Sequence, residues 1–159
     1  GASIRIEEPV GLRFSASSLK RYADGWKEKG FAVSLGMIVA VSDRVTEEKG
    51  ALTLDNPNYV ADTDYRYIEF AADEENFTLR EGSYLVNGVL KVKETNFARK
   101  YIGVAYLKIE KDGKARYVYA EDNDNVRSMQ DVASAALSDS SAEWSEEQTA
   151  ALKRIAGIA

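Results

Sequence analysis

The sequence predicts an α+β fold, mainly β: an antiparallel β-sandwich with a short helix after the first strands and two C-terminal helices. Three observations predict it. Apolar residues alternate with polar ones, or run unbroken, through much of positions 1–120. Asn-Gly and Asp-Gly pairs stand between apolar runs. After position 120 the apolar spacing becomes helical. Strands gathered in one block, with helices after them, favour α+β over a parallel α/β fold, which needs the two to alternate throughout.

Ile4 and Ile6, closed by Pro9, read as an entry strand. In Gly11-Leu12-Arg13-Phe14-Ser15-Ala16, Leu12, Phe14 and Ala16 share one face and Arg13 and Ser15 the other. The period then changes: Leu19, Tyr22, Ala23 and Trp26 make a helical stripe, with Ser17 or Ser18 as N-cap and Gly30 as terminator. Residues 31–41 form a strand, and the unbroken run Met37-Ile38-Val39-Ala40-Val41 suits one buried on both faces. Residues 42–50 read as turn and charged loop. Ala51-Leu52-Thr53-Leu54 is expected to form a short edge strand, closed by Asp55-Asn56-Pro57-Asn58, and residues 65–70 alternate weakly.

Asn87-Gly88 between Tyr84-Leu85-Val86 and Val89-Leu90-Lys91-Val92 predicts a hairpin, because both turn residues tolerate positive φ. Asp112-Gly113 predicts a second, joining 97–110 to 115–120. Val126, Met129, Val132, Ala133, Ala136 and Leu137 then fall at helical spacing, with Asp124 or Asn125 as cap. Ser145-Glu146-Glu147-Gln148 is a capping box opening a last helix striped by Leu152, Ile155, Ala156 and Ile158. Residues 1–159 read as a single domain, β-rich over 1–120 and helical over 121–159, long enough to bury roughly two-thirds of its unfolded surface. The opening Gly1-Ala2-Ser3, without Met, reads as a remnant of tag removal, so the natural protein is expected to extend beyond both ends.

The chain has no His and no Cys. That removes Ser-His-Asp triads, thiolate chemistry and the commonest zinc ligands. The formal net charge of −5 and the lack of a basic cluster argue against nucleic acid, which demands a cationic face. No stretch approaches the roughly 20 apolar residues of a membrane-spanning helix. There is no Walker motif and no Gly-x-Gly-x-x-Gly, so no nucleotide or other cofactor is expected.

Oxygen chemistry stays open. Glu121-Asp122-Asn123-Asp124-Asn125 offers calcium ligands, chiefly Asp122 and Asp124, without EF-hand spacing; the alternative is a solvated, helix-capping loop. A carboxylate-based glycoside hydrolase needs only two Asp or Glu residues about 5–9 Å apart, and Glu69, Glu81 and Glu94 lie in strand-like segments. Arg13, Arg99 and Arg127 sit within apolar segments, where burial favours pairing with carboxylates such as Asp43, Glu69 or Asp131. Tyr59, Tyr65 and Tyr67, in an Asp- and Asn-rich region, are the candidates for an exposed binding face. Trp26 reads as core, and Trp144 as a staple before the last helix.

Five segments follow one another along most of the chain: Gly11-Leu12-Arg13-Phe14, Gly36-Met37-Ile38-Val39-Ala40 with Asp43, Phe97-Ala98-Arg99-Lys100-Tyr101-Ile102, Tyr117-Val118-Tyr119-Ala120, and Val126-Arg127-Ser128-Met129-Gln130-Asp131-Val132-Ala133. In this order they resemble an accessory domain of secreted and cell-surface proteins from gut Firmicutes. The resemblance implies export to the bacterial surface and a non-catalytic role in adhesion, spacing or glycan contact, and it places each of the three arginines inside a recurring motif. Expected partners are a cell-wall or host glycan or another surface protein. The alternatives are the carboxylate hydrolase and a protein–protein interaction module.

Overall fold

The computed structural model describes residues 2–60, 67–72, 77–121 and 126–158. The first strands are β1 (Ala2–Arg5) and β2 (Gly11–Leu19), followed by α1 (Lys20–Glu28), β3 (Ala32–Val41), a short α2 (Pro57–Val60), β4 (Tyr67–Ala71), β5 (Phe77–Arg80) and β6 (Ser83–Lys91). Then come β7 (Tyr101–Lys111), β8 (Lys114–Tyr119), β9 (Val126–Arg127), α3 (Met129–Ser138) and α4 (Glu146–Ala156). Two antiparallel sheets result. The first runs β1-β2-β6-β5; the second runs β4-β3-β7-β8, with β9 also paired to β7. The α+β sandwich read from the sequence is therefore the observed fold.

Period-2 alternation builds the interior. Leu12, Phe14 and Ala16 of β2 and Val86 and Leu90 of β6 meet Leu35, Met37 and Val39 of β3 and Leu107 and Ile109 of β7. Arg13 and Ser15 take the wet side of β2, as expected. Met129 and Ala133 of α3 and Leu152 and Ile155 of α4 join this same core. At roughly 1.5–3 kcal/mol for each large apolar side chain fully buried, such residues dominate the favourable side of folding.

Several local expectations give way to longer-range contacts. Asn87-Gly88 is no turn: β6 passes straight through it, paired with β2 from Gly11 opposite Lys91 to Leu19 opposite Ser83. Gly88 is needed for close approach instead, since a Cβ there would stand 2.2 Å from Cγ of Phe70 across the sandwich. The turn into β6 is made by Glu81 and Gly82, with φ of 49° and 76°. Asp112-Gly113, at 54° and 73°, makes the expected hairpin between β7 and β8. That strand starts at Tyr101 rather than 97, after a 3₁₀ turn at Glu94–Asn96.

Ser17 and Ser18 do not cap α1, because strand pairing carries β2 through them to Leu19. Only Ala23 of the expected stripe is fully buried. Trp26 is half-buried, edge-on to Phe31 at 5.2 Å, while Leu19 and Tyr22 are exposed. The helix is pinned by Asp24, which accepts from Lys20 and from the Tyr84 hydroxyl (3.0 Å). The Lys20 ammonium is the chief reason the Asp24 carboxyl lies below its ordinary range.

The expected edge strand at 51–54 is a loop, although Leu52 is buried. The cap of α3 is Ser128, whose hydroxyl accepts from the Asp131 N–H while Asp131 accepts from the Ser128 N–H, both at 3.0 Å. Asp124 and Asn125 lie outside the described residues. The Ser145–Gln148 box of α4 is present as read, and Trp144 donates Nε1–H to the Ala136 carbonyl at 3.1 Å, tying the two helices together.

Candidate functional site

The outer face of the second sheet, turned away from the first, carries a row of tyrosines. Register decides which residues share it. Tyr106 lies opposite Gly36 on one side and Tyr119 on the other; Lys108 lies opposite Tyr117; Ile38 lies opposite Glu69, and Ala40 opposite Tyr67. Paired residues in an antiparallel ladder point to the same face. Tyr67 and Glu69 of β4 are thus brought together with Tyr106, Tyr117 and Tyr119 of the β7–β8 hairpin, more than 30 residues later in the chain.

One part of this face is sealed. Ile38, Ala40, Ile102 and Val104 form a second core under Leu52 and Tyr59 from residues 42–60. That segment is a loop of short helical turns, at Ser42–Arg44, Glu47–Lys49 and α2, held together by side chains. Asn56 Nδ2 donates to the carbonyls of Lys49 and Ala51, both at 2.9 Å, and Asn58 Nδ2 to Lys49 at 2.8 Å. Tyr59 donates its hydroxyl to the Gly50 carbonyl at 2.6 Å, and Tyr119 accepts from the Leu54 N–H at 2.9 Å.

The other part is the tyrosine row. Tyr106 is buried at its floor, its ring lying over Gly36, where a Cβ would come within 2.3 Å of the phenol oxygen. Its hydroxyl donates to Oε1 of Glu69 at 2.5 Å. Burial first, then the Glu69 hydrogen bond and charge, push the Tyr106 phenol far above the ordinary tyrosine range. Tyr117 and Tyr119 are half-buried above it, stacked at 6.1 Å, and Tyr117 meets Tyr106 edge-on at 5.6 Å. Burial, followed by the Glu69 charge, also raises Tyr67; burial raises Tyr119, with Asp55 contributing. Glu69 and Asp55 are themselves exposed. The arrangement is an aromatic surface edged by carboxylate, suited to apolar contact over ring faces with hydrogen bonds at the rim.

No family model, curated protein or solved structure matches the chain in comparison.

The residues singled out from sequence fall in different places. Tyr59 is buried and is no part of an exposed face, because α2 turns it into the second core. Tyr67 does belong to the tyrosine row, and Tyr65 lies outside the described residues. Tyr106, Tyr117 and Tyr119 were missed; their even-odd placement on the two strands of the Asp112-Gly113 hairpin was the signal that marks them. Arg13, Arg99 and Arg127 are all exposed, so the burial that favours a paired internal network does not arise. Arg127 and Lys100 favour the charged form of Asp131, whose carboxyl lies below its ordinary range because the Ser128 N–H and hydroxyl outweigh the effect of burial.

Glu81 and Glu94 lie beyond opposite ends of β6, and Glu69 is on the outer face of the other sheet, so these three do not share a cleft. Asp122 and Asp124 lie outside the described residues. Among the described residues no group of three or more Asp or Glu is placed to hold a metal ion, and no helix is long and apolar enough to cross a membrane.

Proposed function

We propose that this chain is a non-catalytic contact module of an extracellular bacterial protein, which engages a glycan through the tyrosine row of its second sheet. The observation that carries the reading is the convergence of Tyr67, Tyr106, Tyr117 and Tyr119 beside Glu69 on one partly open sheet face. Sugar rings offer C–H faces to aromatic rings and hydroxyls to carboxylates, and tyrosine supplies broad contact at little entropic cost. The motif order set out above supports the extracellular setting. A glycan array and a cell-wall pull-down test it: binding lost in Tyr117→Ala, with folding intact by thermal melting, supports contact through this face. Two blank results would leave the module a spacer.

A second reading, a protein-interaction module, draws support from a groove of about 170 Å³ lined by Ser17, Tyr22, Leu35, Leu107 and Val118, among others. Tyr22 and Val118 in its wall are exposed, and β8 is an edge strand among the described residues. A partner captured by the native chain and lost with Val118→Asp would favour that reading.

A further inference from the structure

We infer that the glycan taken by this face is an amino sugar, with its ammonium group set against Glu69 and its ring over Tyr117. This rests on the glycan-contact reading and names its substrate class. Two independent observations lead to it.

Charge is the first. Glu69 is exposed, and Tyr106 occupies only one of its oxygens, so acceptor capacity remains. Asp55 stands near Tyr119 at the other side of the row, close enough to influence its ionisation. The covering segment 42–60 carries Asp43, Glu47, Glu48 and Asp55 against Arg44 and Lys49. Lys108, the cation that register places beside Tyr117, is paired with Glu110 at 3.5 Å. The row is therefore flanked by carboxylates, and its neighbouring lysine is matched by a carboxylate of its own.

Ring chemistry is the second. Aromatic faces carry negative potential and attract cations, ammonium groups among them. Tyr117 and Tyr119 stack on one another and Tyr117 stands edge-on to Tyr106, so three π systems and a carboxylate converge. A neutral or N-acetylated sugar meets the carboxylate through uncharged O–H or N–H donors. A free amino sugar adds a charge-assisted hydrogen bond to the carboxylate and a cation for the ring faces.

The test is titration calorimetry with three β-1,4-linked oligosaccharides of equal length: glucosamine, N-acetylglucosamine and glucose. The expected order places glucosamine ahead by roughly tenfold, a difference of about 1.4 kcal/mol, with affinity falling as salt rises. Glu69→Gln removes that preference. Glu143→Gln, on the exposed connection between α3 and α4, changes net charge equally and leaves it intact, which separates a site from general attraction of a polycation to an acidic protein. Equal binding of the three oligosaccharides, or equal losses from the two Glu variants, would overturn the amino-sugar inference while the glycan reading stands. If none of the three binds, the amino-sugar inference falls, and the glycan reading falls with it when the array and pull-down are blank as well.

Discussion

On the inner face of the second sheet, Leu35, Met37, Val39, Leu107 and Ile109 meet the first sheet and the C-terminal helices; on its outer face, Ile38, Ala40, Ile102 and Val104 meet a loop. The inner face is covered by regular elements whose own alternation supplies matching apolar side chains. The outer face is covered by residues 42–60, which contribute chiefly Leu52 and Tyr59 and are held in place by Asn56 and Asn58. Where that loop ends, tyrosines take over, with apolar rings against the sheet and hydroxyls toward polar partners. A sheet that is normally dry on one side thus becomes dry on one and graded on the other. The graded side carries the tyrosine row and Glu69.

The largest effect is expected at Ile38. If the loop seals the outer face as a true core, Ile38→Ala costs about 2–5 kcal/mol, the same range as Leu12→Ala on the inner side. Urea denaturation of both variants checks this, and an Ile38→Ala cost below about 1 kcal/mol would show that the loop is only a loose cover. Next is Gly88→Ala, which drives a methyl into the base of the Phe70 ring and costs about 1–3 kcal/mol. A neutral outcome by thermal melting would mean the sheets separate more easily than their packing implies. Ser128→Ala, which removes the hydroxyl half of the α3 box, costs about 1 kcal/mol by the same measurement.

The smallest effect at neutral pH belongs to Tyr106. Its folded-state value is raised, so the stability held by the neutral phenol is complete below about pH 10, the ordinary tyrosine range, and is lost as pH rises through the higher folded value. Tyr106→Phe flattens that alkaline decline in pH-dependent denaturation. An unchanged decline would assign it to other tyrosines.

Two dipeptides show how far sequence reaches. Asp112-Gly113 and Asn87-Gly88 carry the same hairpin signal between apolar runs, yet only the first is a turn. The second lies opposite Phe14 and Ser15 of β2 and under Phe70, contacts made by residues about 70 and 20 positions away. The double-faced burial of Met37-Ile38-Val39-Ala40-Val41 was legible because an unbroken apolar run has one ready explanation. The capping box at Ser145 was legible because its chemistry is local, whereas Ser17 and Ser18 made plausible caps until strand pairing claimed them. The tyrosine row was only partly legible: each tyrosine's place on its own strand can be read, but register with a third strand is what adds Glu69.

Leu152 and Ile155 share the interior with Leu12, almost the whole chain apart. During synthesis, the first sheet emerges from the ribosome long before the residues that close it. The core is therefore complete only once α4 has left the exit tunnel and packed against the first sheet.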